Sequence, residues 1–217
     1  HFGPLGGGGG DLIVYRTTEQ KLPILAADGT TTFVVGFAEL AETDGMLVYE
    51  VPPGPAAGAV LDIWQRSVSE TGTGGPDGGK GARFLIVLDG TEVPEDHGAD
   101  VVIASKTSTI MVANRILTAD PQEGERIVKA HRIHALGAEP ATRIFEAPNR
   151  DWSGHQPRGL DYWIVVHQIL QLNPPEERDM AVLQWLKTLG IEKGTAFEPT
   201  ATEESTLEEA AFVGEAW

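Results

Sequence analysis

Cysteine is absent from all 217 residues, which removes disulfide staples, thiol nucleophiles and thiolate metal sites at once. Basic residues are scarce as well: 16 Lys and Arg stand against 32 Asp and Glu, for a formal charge of −16. Nucleic-acid binding relies on counterion release and needs clustered cations. The densest basic stretch, Arg126 to Arg132, is broken by apolar residues, so no nucleic-acid partner is expected. Such an acidic surface points first to solubility, then to salt adaptation or cation attraction. Long apolar runs are missing too. Tyr162 to Leu172 is interrupted by His167 and two Gln and falls short of the ~20 residues that span a bilayer, so no transmembrane segment is expected. No basic-then-apolar leader precedes His1, which suggests a processed or truncated chain.

What remains is an ordinary globular composition, 41% hydrophobic and 22% charged. Residues 1–10 contain a run of five glycines, Gly6 to Gly10, and are expected to form a loop or linker. Asp11 to Tyr15, Thr31 to Phe37, Met46 to Val51 and Phe84 to Leu88 are short apolar or β-branched runs bounded by Gly, Pro and Asp, the pattern of strands. Val101 to Ser105 and Thr107 to Val112 read the same way, whereas the segment after Pro52 and Pro53 reads as a Gly/Ala/Pro loop. Helical signals come later. Asp120, Pro121 and Glu123 supply an N-cap, a first-turn proline and a capping-box acid. Leu160 to Leu172 and Pro174 to Leu189 predict two helices pairing as an α-hairpin, and Glu203 to Phe212 a last acidic helix with Leu207, Ala210 and Ala211 on one face. The expected fold is α+β: an antiparallel sandwich or barrel over 11–146, then a small helical segment over 147–217.

Several clusters invite chemistry. Gly74 to Gly81 (GGPDGGKG) approaches a phosphate loop, but Gly81 replaces the hydroxyl that would meet Mg²⁺, Asp77 puts a negative charge in the cradle, and a strand follows. A tight multi-glycine turn with Asp77 bonded to its own backbone is the favoured reading, with Lys80 as a remaining cation. Asp62, Trp64 and Arg66 share one face if extended, and Asp62 meets Arg66 if helical, so both geometries allow an ion pair beside the indole. That trio is a structural clamp, or a site with Trp64 as platform and Arg66 as anion anchor. His131 and His134 ligate a metal only on a helix, and capping of the helix C-terminus by His131 is favoured; no metal or cofactor is expected. His167, amid apolar residues, reads as a core histidine. There is no G-x-S-x-G, and Ser153 with His155 is the nearest polar cluster for nucleophilic chemistry.

The segment Gly54 to Gly81, GPAAGAVLDIWQRSVSETGTGGPDGGKG, resembles the signature of the DUF1254/DUF1214-type family: a Pro/Gly loop, Asp-x-Trp-x-Arg, then a Gly-Pro-Asp-x-Gly-x-Gly turn before a strand. Ser105 to Arg115 (SKTSTIMVANR) is similar to its Ser/Thr-rich strand, and Gly190 to Pro199 (GIEKGTAFEP) to its Gly-Ile-x-Lys-Gly-x-x-Phe-x-Pro element. The resemblance runs over roughly Leu22 to Trp217. It implies β-sandwich or barrel modules with inserted helices, often an exported location (periplasmic, cell-surface or secreted), and no agreed substrate. The function expected is therefore a non-catalytic module binding a ligand or another subunit near Asp62, Trp64, Arg66, Asp77 and Lys80. An extracellular hydrolase or lyase, and an assembly protein pairing through strand edges as a homo-oligomer, stand as alternatives.

Overall fold

The computed structural model describes residues 9–16, 29–147 and 156–216. The chain divides into two compact units, His1–Ser153 and Gly154–Trp217. In the first, ten strands are present among the described residues: β1 (Leu12–Tyr15), β2 (Thr32–Glu39), β3 (Met46–Val51), β4 (Ala56–Asp62), β5 (Ser67–Gly72), β6 (Ala82–Leu88), β7 (Val101–Ser105), β8 (Thr109–Ile116), β9 (Arg132–Ala135) and β10 (Ile144–Glu146). They form two sheets, ordered β10-β1-β2-β8-β4-β5 and β7-β6-β3-β9. The β1–β10 and β6–β7 pairs are parallel and the others antiparallel. Among the described residues neither sheet closes on itself, so of the two expected architectures the sandwich is the one present.

Alternation builds the core. Leu47, Tyr49 and Val51 of β3 point inward with Phe84 and Ile86 of β6 to meet Val34, Val60 and Val112 of the larger sheet. The other face of β3 and β6 is covered as well, through Val48, Leu85 and Val87. Burial on both faces is why Phe84 to Leu88 reads as a continuous apolar run.

The first half of β4 lies where a loop was expected, and the reason is legible in the interior. Gly58 of β4 stands opposite both Thr71 of β5 and Asn114 of β8. A Cβ there would lie 2.0 Å from the Ala113 carbonyl oxygen and 2.2 Å from Asn114 Oδ1. The missing side chain lets the Asn114 amide reach Thr71, whose hydroxyl donates to Oδ1 at 3.0 Å, while Asn114 Nδ2 donates to the Tyr49 hydroxyl at 2.7 Å. All three residues are fully buried. Glycine and alanine, poor strand formers in isolation, are thus what a crowded sheet interior requires.

Helix α1 (Pro121–Ala130) starts as expected, with Asp120 accepting from the Gln122 and Glu123 N–H groups at 2.8 and 3.4 Å. Glu123 departs from the capping-box role and accepts instead from the Thr118 hydroxyl at 2.8 Å. At the other end His131 Nδ1 lies 2.9 Å from the Ile127 carbonyl oxygen. Its ring stacks on Tyr49 with centroids 6.0 Å apart.

The second unit holds α2 (Leu160–Leu172), a 3-10 turn (Glu177–Asp179) leading into α3 (Met180–Thr188), and α4 (Ala201–Glu215). The expected α2–α3 hairpin is corrected: α2 packs chiefly on α4. Trp163 Nε1 donates to the Leu207 carbonyl at 2.7 Å, and Arg158 pairs with Glu215 at 2.7 Å. The spacing of α2 could not select its partner because apolar residues occur on every side of it. Gly190 to Pro199 wraps the C-terminal end of α2: Lys193 Nζ donates to the Leu170 and Gln171 carbonyls at 3.1 and 2.9 Å, and the Gln171 side chain bonds Glu192 and Gly194. His167 Nε2 lies 2.7 Å from the Thr195 carbonyl oxygen and its ring stacks on Phe197, so this half-buried histidine serves packing. Among the described residues no helix is long and apolar enough to cross a membrane.

Candidate functional site

Asp62 ends β4 and Trp64 and Arg66 follow it in the turn joining β4 to β5, so the three share neither one strand face nor a helix, as the spacing had allowed. The Asp62 N–H donates to the Arg66 carbonyl at 2.9 Å, and the Gln65 N–H returns to the Asp62 carbonyl at 2.9 Å. Gln65 sits in the left-handed region at φ 58, the geometry of a hairpin that closes with a bulge. The Asp62 carboxylate fills the turn: Oδ1 accepts from the Trp64 and Arg66 N–H groups, both at 2.9 Å, and Oδ2 accepts from Arg66 Nε at 2.7 Å. Asp62 is buried, whereas Trp64 leaves 46% of its surface exposed. The clamp reading of Asp62 and Arg66 therefore describes their geometry, with the indole held outward beside it.

Because one buried carboxylate satisfies two backbone N–H groups and the Arg66 guanidinium, Asp62→Ala is expected to lower stability by about 2–4 kcal/mol, as removal of a buried charged partner does. Urea unfolding checks this. Asp62→Asn, which keeps one acceptor, is expected to lose less.

Asp77 and Lys80 lie past the far end of β5. Asp77 is buried, and its Oδ1 accepts from the Gly72 N–H at 2.8 Å. Four further amides of the loop are spent internally: Gly75 and Gly79 donate to the Gly72 carbonyl, Gly78 to Gly75, and Lys80 to Asp77. These N–H groups turn inward on the loop rather than toward a cradled anion. Gly72 at φ 73 is required twice over, since a Cβ there would also lie 2.1 Å from the Ala56 carbonyl oxygen. Lys80 is exposed. The six residues of β5, at about 3.3 Å each, put the Asp62 turn and the Asp77 loop roughly 20 Å apart. Two members of the predicted site, Asp77 and Lys80, are therefore separated from Asp62, Trp64 and Arg66.

What does join the Asp62 turn is a set of hydroxyls at the β7–β8 turn, hinted at only by the Ser/Thr density of 105–109. Thr107 Oγ1 accepts from the Ile63 N–H at 3.3 Å and donates to the Thr109 carbonyl at 2.9 Å. Ser105 Oγ donates to the Thr107 carbonyl at 2.9 Å, and Ser108 Oγ accepts from the Ala41 N–H at 3.0 Å. Thr109 Oγ1 donates to Glu39 Oε1 at 2.6 Å, while Glu39 Oε2 is sealed from solvent without a hydrogen bond. The hydroxyls lock the β4–β5 tip to the ends of β2 and β8.

The histidine pair diverges. His131 faces the core against Tyr49, and burial pushes its pKa down to about 4. His134, on the opposite face of the small sheet, lies 3.4 Å from Glu50 Oε1. Ser153 and His155, like residues 1–8 of the glycine-rich start, lie outside the described residues.

With the sandwich, the Asp62 turn and the glycine loop in place, comparison gives the family. Residues 12–137 match the family described as protein of unknown function, DUF1254. The chain belongs to this family. Two of the three motif segments, 54–81 and 105–115, fall inside the matched region, and 190–199 falls outside it. No curated protein matches the sequence. Among solved structures, the VPA0106 protein from Vibrio parahaemolyticus is similar, with a TM-score of 0.59 at 14% identity over 93% of this chain and 51% of that one. Likeness at that identity speaks to fold alone. This DUF1254 chain spans about half the length of the Vibrio protein.

Proposed function

We propose that this DUF1254 protein is a non-catalytic binding module, exported or surface-associated, whose contact element is the tip of the β4–β5 hairpin. One observation carries the reading: Trp64 is 46% exposed on a turn whose carboxylate and guanidinium are spent on each other and on the backbone. A rigid, half-exposed indole without a titratable partner suits recognition rather than proton transfer. The exported location rests on the family resemblance alone.

Hydroxyl-radical footprinting of the full chain, alone and with cell-surface protein and carbohydrate fractions of its source, tests the reading. Oxidation of Trp64 is expected to slow several-fold with at least one fraction. An unchanged Trp64 rate with both contradicts it. A second reading, homo-oligomeric assembly, is favoured by α3, where Trp185 is 70% exposed beside Val182 and Leu189. Protection of Trp185 that grows with protein concentration in the chain alone would identify it.

A further inference from the structure

We draw no further inference here: the strongest candidate, the exposed apolar face of α3 formed by Val182, Trp185 and Leu189, is an unpartnered helix surface, and nothing in the structure shows what covers it.

Discussion

Asn114→Ala is expected to destabilise the sandwich by about 3–5 kcal/mol, a third or more of the stability of a typical domain. The change deletes the acceptor of the Thr71 hydroxyl and the donor to the Tyr49 hydroxyl, bonds of 3.0 and 2.7 Å in a fully buried setting. Each stranded polar group costs about 1–3 kcal/mol, and the cavity left by the amide adds to that. Tyr49→Phe is expected to cost less, since it strands only Asn114 Nδ2. Gly58→Ala attacks the same place from the backbone, because its Cβ would need the space that Asn114 Oδ1 occupies 2.2 Å away. Urea titration of the three variants checks the order. A loss below about 1 kcal/mol for Asn114→Ala would mean that the chain of bonds from Thr71 to Tyr49 contributes little.

Acid is expected to unfold the protein through His131. Since a carbonyl oxygen only accepts, the 2.9 Å contact between His131 Nδ1 and Ile127 places the ring proton on Nδ1 and leaves Nε2 a bare acceptor, buried without a partner. Protonating Nε2 would bury a charge against Tyr49. Burial therefore lowers the folded pKa from 6.5 to about 4. Between those values the unfolded chain binds a proton that the folded chain refuses, so stability falls as pH falls, by about 3 kcal/mol across the window. Above the unfolded pKa the effect vanishes. His131→Leu is expected to flatten this part of the stability-against-pH curve, at the cost of one hydrogen bond at neutral pH. A curve equally steep in His131→Leu would assign the acid sensitivity to other groups.

The sequence made some elements readable and hid others for physical reasons. β3 and β7 have the bounds expected of them because Met46 to Val51 and Val101 to Ser105 are rich in β-branched and apolar residues with clear punctuation. β4 was hidden because its Ala-Ala-Gly-Ala start is selected by the crossing Asn114 amide rather than by strand propensity. The Asp62 and Arg66 pair was visible at four-residue spacing, yet the hairpin that realises it depends on Gln65 accepting a positive φ, which no propensity announces. Asp77 was legible as a turn residue, but its carboxylate accepts from the Gly72 N–H five residues back rather than from its own backbone. What composition could not say is that Asp77 and Lys80 are held apart from Trp64 by the length of β5, since grouping them rested on nearness in sequence. The Glu39, Thr107 and Thr109 cluster was invisible because its members come together only through the pairing of β2, β8 and β4.

The measurement that bears most directly on the account compares Asp62→Ala with Trp64→Ala in the full chain, reading thermal unfolding and Trp64-dependent binding side by side. The account predicts a split: Asp62→Ala lowers the melting temperature because it removes the clamp, whereas Trp64→Ala leaves the melting temperature in place and abolishes binding. If Trp64→Ala instead destabilises the fold as strongly as Asp62→Ala and leaves binding intact, the indole is part of the turn's architecture and the hairpin tip is not a binding element.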